Sequence, residues 1–143
     1  SEQALGEKSL LVALEDVLGI RFDTGSTELP IDGVKPDAIS LSNRIVVEVY
    51  ARIGSVKGAQ QHKIKGDILK LAFIGQRLGT EWRKILCFAS KEAASYASGA
   101  TWVAEAAREF GIEIVAVDIP EDIKASIVTA QVRQRMINAG VET

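Results

Sequence analysis

Apolar residues recur at helical spacing from the start of the chain. Leu10, Leu11, Leu14, Val17 and Leu18 fall on one face and Gly19 follows, which predicts a helix over Gln3 to Leu18. From Ile20 to Lys35 the pattern lapses, because Gly25, Pro30 and Gly33 interrupt it and leave room only for a short strand at Thr27 to Leu29. Alternation then takes over. Ala38 to Leu41 and Arg44 to Ala51 read as two strands joined by a tight Ser42-Asn43 turn, an antiparallel hairpin. Because side chains alternate along a strand, Val46, Glu48 and Tyr50 share one face, and Ile45, Val47 and Val49 the other.

A second helix is expected from Val56 or Gly58 to Leu78, with Ile64, Ile68, Leu71, Gly75 and Leu78 as its inward stripe. Carried backwards, that stripe puts Lys57 and Gln61 on the same side and Lys65 at its edge, near the strand ends, with Lys63 less well directed. A strand at Arg83 to Ala89, a helix at Glu92 to Phe110, a strand at Glu113 to Ile119 and a helix starting near Pro120 complete the chain. Gly111 suits the end of one helix and Pro120 the start of the next. This order predicts an α/β fold: one domain over residues 1–143, a mixed central sheet flanked by helices, its hairpin antiparallel and its later strands joined by a crossover. Ile127, Val128, Val132 and Met136 of the last helix are in register, as a core stripe or an interface.

Composition narrows the classes. With 143 residues, 47% hydrophobic and 25% charged, the chain is a globular domain rather than a disordered or fibrous segment. A single cysteine, Cys87, excludes an intrachain disulfide and fits a reducing compartment. No apolar run approaches the ~20 residues that span a bilayer, and the N-terminus lacks the basic-then-apolar order of a signal peptide. A cytoplasmic protein with no membrane partner is expected.

The net charge of −2 conceals an uneven distribution. Residues 43–77 carry two acids against seven bases: Arg44, Arg52, Lys57, Lys63, Lys65, Lys70 and Arg77. They follow Asp37, at the head of one hairpin strand, and flank Glu48, in the middle of the other. An ionised carboxylate among valines on a central strand is costly unless a cation or hydrogen-bond donors offset it. Asp37 and Glu48 on adjacent strands are therefore candidate ligands of a divalent metal, and the basic stretch beside them suits a phosphodiester. Arg52, Lys57, Lys63 and Lys65 are the candidate nucleic-acid contacts, although the same lysines also read as a solvated helix face. Asp37 alone reads first as a turn or strand-start residue after proline, and Glu48 also reads as a buried or edge acid satisfied by a nearby arginine or lysine. His62, the only histidine, lies in a polar stretch, and Cys87 reads as a core thiol. Trp82, Tyr96 and Trp102 read first as packing residues.

Element order and residues together resemble the PD-(D/E)XK nuclease superfamily, the restriction endonuclease-like fold. Pro36-Asp37 matches its Pro-Asp, and Glu48, eleven positions on, matches the acid of its Asp/Glu-X-Lys element. Glu7 matches a first-helix glutamate of many members, and Gln61 a polar residue on the helix after the hairpin. Where the superfamily has lysine two residues after the acid, this chain has Tyr50. The resemblance implies an αβββαβ core and Mg2+- or Mn2+-dependent hydrolysis of nucleic acid, DNA before RNA. It makes Asp37, Glu48, the Val49 carbonyl and Glu7 metal contacts, Gln61 an orienting group, and Lys57 or Lys65 the replacement for the missing lysine. The departure at Tyr50 implies a second reading, a module of the same fold that binds nucleic acid or a protein without cleaving. A homodimer would bring two such sites to the two strands of a duplex.

Overall fold

The computed structural model describes residues 1–27, 29–31 and 33–140. Helix α1 spans Glu2–Leu18: the Ser1 hydroxyl caps it by accepting from the Ala4 N–H at 3.3 Å, and Gly19, at φ 69°, ends it with its N–H on the Glu15 carbonyl. Strands β1 (Ala38–Ser40) and β2 (Ile45–Tyr50) form the antiparallel hairpin, with Ala38 opposite Val47. Helix α2 (Ala59–Leu78) crosses over to β3 (Arg83–Phe88), which lies parallel to β2 with Glu48 beside Leu86. Helices α3 (Lys91–Ser98) and α4 (Trp102–Glu109) lead to β4 (Ile112–Ala116), parallel to β3, and α5 (Glu121–Asn138) follows. The result is one mixed four-stranded sheet in the order β1-β2-β3-β4, with five helices.

Two apolar layers cover the sheet. Val46, Tyr50, Leu86 and Phe88 pack against α2, α3 and α4 through Ile64, Ile68, Leu71, Ala93 and Val103. On the other face Val47, Val49, Ile85 and Cys87 meet Leu10 and Leu14 of α1 and Ile127 of α5. Strand β2 is thus buried on both faces along its whole length, as an interior strand with helices above and below must be. The approach of α1 to α5 relies on Gly6: a Cβ there would meet the Ile127 Cδ1 at 2.8 Å. Of Ile127, Val128, Val132 and Met136, only Ile127 is fully buried.

Three expectations need correction. The helix expected over Glu92 to Phe110 is two helices, because the Ser-Gly-Ala-Thr stretch contains a stop and a new start. Gly99 closes α3 with its N–H on the Ser95 carbonyl, and the Thr101 hydroxyl caps α4 by accepting from the Ala104 N–H at 3.0 Å. The hairpin connection is Leu41 to Arg44 rather than a two-residue turn, with Arg44 in the left-handed region at φ 55°. The strand expected at Thr27 to Leu29 includes Glu28, outside the described residues, and neither Thr27 nor Leu29 is in a strand. It is Asp23, upstream of that stretch, that covers the free edge of β1: its N–H donates to the Ile39 carbonyl at 2.8 Å, and its carboxylate accepts from the Leu41 N–H at 3.0 Å. Leu29 and Ile31 are buried in the α2-side core. Among the described residues, no helix is long and apolar enough to cross a membrane.

Candidate functional site

Asp37 directly precedes β1, so the hairpin register sets it opposite Glu48. At this rung side chains take over from the backbone ladder. The Asp37 N–H donates to Glu48 Oε2 at 2.8 Å, and the Val49 N–H donates to Asp37 Oδ2 at 2.9 Å. Glu48 is 3% exposed and shares the α2-facing side of β2 with Val46 and Tyr50, whereas Asp37 is exposed. Its other oxygen, Oε1, meets the Lys70 ammonium at 2.7 Å, and the same ammonium donates to the Lys35 carbonyl at 2.8 Å. Lys70 therefore ties α2 to the acidic strand and to the segment leading into β1.

One turn earlier on α2, Lys63 and Asp67 pair at 2.9 Å. Residues 63, 67 and 70 lie on one face of a helix, and here that face looks toward the hairpin acids. The charges act on one another. Burial, then the neighbouring Asp37 charge, push the Glu48 carboxyl up to about 7 against the pull of Lys70 and the Asp37 N–H. Burial also raises the Asp67 carboxyl; Lys63 opposes it, and Asp37 adds to it. Burial disfavours the charged Lys63, but Asp67, with Asp37 and Glu48 behind it, outweighs burial and holds its pKa above the ordinary lysine value. Tyr50 is 2% exposed, its ring 5.5 Å from that of Phe88, and burial raises its hydroxyl although the positive charges of Arg52 and Lys63 pull the other way.

The expected site residues divide accordingly. Asp37 and Glu48 come together, and Lys63 lies on the helix face beside them; of Val49, whose carbonyl was the expected metal contact, it is the N–H that reaches Asp37. Glu7 does not: α1 packs on the opposite face of the sheet, and Glu7 accepts a hydrogen bond from Gln3 at 3.4 Å. Gln61 turns back on its own helix start, 3.5 Å from the Val56 carbonyl. Lys65 sits 5.4 Å over the ring of Trp102, and Lys57 is exposed in the loop before α2. Lys70 and Asp67, which sequence reasoning passed over, belong to the cluster. The apolar stripe of α2 has two polar edges, Gln61 with Lys65 on one and Lys63, Asp67 and Lys70 on the other. Periodicity marks both and does not say which one borders β1.

Among the described residues no group of three or more His, Cys, Asp or Glu side chains is arranged as a metal cage. Two carboxylates are nevertheless an adequate protein contribution for Mg2+, which keeps several waters and takes the remainder of its shell from substrate phosphate. Burial and then the Asp37 charge raise Glu48, and a divalent cation would offset both, so the donor set fits such an ion. Cys87 is fully buried, and its thiol is pushed up to about 12, which leaves it inert at neutral pH. No family model, curated protein or solved structure matches the chain.

Proposed function

We propose that the chain is a metal-dependent hydrolase of nucleic-acid phosphodiesters, acting on DNA in the first instance, built on a restriction endonuclease-like core whose first strand is replaced by the irregular segment before Asp37. The observation that carries this reading is the 2.7 Å pairing of Lys70 with Glu48. It supplies from the next helix the cation that the sequence lacks at Tyr50. Asp37 and Glu48 would hold Mg2+ or Mn2+, which when bound lowers the pKa of a coordinated water and offsets charge on the phosphate. The chain's own groups do the rest. Lys70 can donate three hydrogen bonds and has two partners among the described residues, Glu48 and the Lys35 carbonyl, so it retains donor capacity that a water or phosphate would use. Lys63 adds positive potential beside Asp37, and the Val49 N–H fixes the orientation of the Asp37 carboxylate.

The test is cleavage of single-stranded, duplex and branched DNA and RNA in Mg2+ and Mn2+, with Asp37→Ala and Lys70→Met alongside. Metal-dependent products lost in both variants support the reading, and products unchanged in Asp37→Ala overturn it. One observation favours the second reading, a non-cleaving binding module: both Glu48 oxygens and one Asp37 oxygen already accept hydrogen bonds from the protein. Binding of nucleic acid with no metal-dependent product on any substrate would select it.

A further inference from the structure

A cleft of about 580 Å³ opens between the loop after β2 and the second half of α5, beside the start of α3. Its size is within the ~300–1,000 Å³ range of small-ligand sites, and it lies beyond the carboxyl end of a parallel strand, where open α/β sheets bind ligands. Arg52, Lys57 and Arg135 line it against a single acid, Glu92, so its field favours an anion. Amide side chains stand on both walls, Gln60 on one and Gln134 and Asn138 on the other, where Gln134 Nε2 donates to Asn138 Oδ1 at 3.0 Å and leaves the Gln134 carbonyl and the Asn138 amino group as an acceptor and a donor of the kind that read base edges. The cleft is also connected to the acidic site. Arg52, which lines it, follows directly on the end of β2, the strand that carries Glu48 on its α2-facing side, and the Gln131 clasp on Ile53 holds the two walls together.

We infer that this cleft binds an unpaired nucleotide of the strand whose phosphodiester lies at Asp37 and Glu48, its phosphate on Arg52, Lys57 and Arg135 and its base edge on the amides. The assignment rests on the proposed hydrolase reading for the role of the acidic pair. The base must be unpaired, because a concave pocket of this size admits one nucleotide and not a duplex, and pairing would hide the edges the amides can reach.

The experiment is fluorescence anisotropy of the full chain with a short labelled single-stranded DNA in EDTA, so that binding is read without cleavage. The parent is compared with the double variant Lys57→Gln, Arg135→Gln, both exposed positions, and circular dichroism checks the fold. The double variant is expected to bind roughly tenfold more weakly, with a log-log salt slope shallower by about 0.7, the single-strand value for one phosphate no longer neutralised. A blunt duplex of the same sequence is expected to bind more weakly than the single strand. Equal affinity of parent and variant, no binding by the parent, or tighter binding of the blunt duplex overturns the assignment. So does displacement of the strand by equimolar free nucleoside monophosphates, which would give the cleft to a small ligand. Separately, absence of metal-dependent cleavage with this binding pattern intact would defeat the hydrolase reading and leave the cleft a nucleotide site.

Discussion

Asp37 and Glu48 hold each other through the backbone: the Asp37 N–H binds the Glu48 carboxylate at 2.8 Å, and the N–H of Val49, the residue after Glu48, binds the Asp37 carboxylate at 2.9 Å. The rung that would continue the ladder is made by the two acids, so their separation is fixed by the hairpin rather than by flexible side chains. This preorganised geometry holds two negative charges together at a cost, and that cost has measurable consequences.

Removing Lys70 leaves Glu48 buried without its cation. Lys70→Met is expected to destabilise the protein by roughly 3 kcal/mol at pH 8. At pH 5 a protonated Glu48 needs no counter-charge, and most of the loss should disappear. Urea unfolding of parent and variant at the two pH values measures this, and an equal loss at both would show that the ion pair is not the cause.

Stability should fall as pH rises through the neutral range. The folded-state pKa of Glu48, about 7, lies above its ordinary value of 4.5, so the folded protein holds the proton more tightly than the unfolded chain. The contribution is fully present below about 4.5 and is lost as pH rises to about 7, on the order of 3 kcal/mol at most. Glu48→Gln should flatten this part of the stability profile, which thermal or urea unfolding across pH 4 to 8 resolves as a difference between the two proteins.

A divalent cation must compete with that same proton. Mn2+ or Mg2+ is therefore expected to bind about tenfold more tightly at pH 8 than at pH 6, with proton release in the acid half of the range. Isothermal titration in buffers of different ionisation enthalpy reads both quantities. Asp37→Ala should abolish the binding, and pH-independent affinity would place the ion elsewhere.

A lysine placed at position 50 should not bring its charge to the acidic pair. Tyr50 is buried against Phe88, and Arg52 and Lys63 already act on its hydroxyl. Tyr50→Lys is expected to cost about 3 kcal/mol, through a buried charge beside two cations and lost ring packing, and to reduce rather than raise any cleavage. Unfolding curves and the cleavage assay decide the point together.

The hairpin and its acidic pair were legible because strand alternation places Glu48 among valines, where only a partnered acid survives. The crossover helix was legible from its stripe. Which of its flanks meets the hairpin was not, since that depends on how α2 lies across the sheet, a tertiary choice made by Ile64, Ile68 and Leu71 seating on β2 and β3. Hence the stripe alone points to Lys57, Gln61 and Lys65 near the strand ends, whereas Lys70, with Lys63 and Asp67 on the same flank, is the residue that meets Glu48. Glu7 was misdirected for a related reason: an inward-facing helix residue can approach either side of a sheet, and α1 took the side away from Glu48. The break at Gly99 was written in local capping residues, but the apolar spacing runs on across it.

Gln131 of α5 accepts from the Ile53 N–H at 2.7 Å and donates to the Ile53 carbonyl at 3.0 Å, as a neighbouring strand residue would. An amide has no charge to gain or lose near neutrality. The far wall of the cleft is therefore tethered by a clasp indifferent to pH, while a short distance along β2 the Glu48 carboxyl changes charge near 7. Acidification can thus change the charge of the acidic pair while the walls of the cleft stay in place, so that the charge of one region and the shape of the other answer to different conditions within one small molecule.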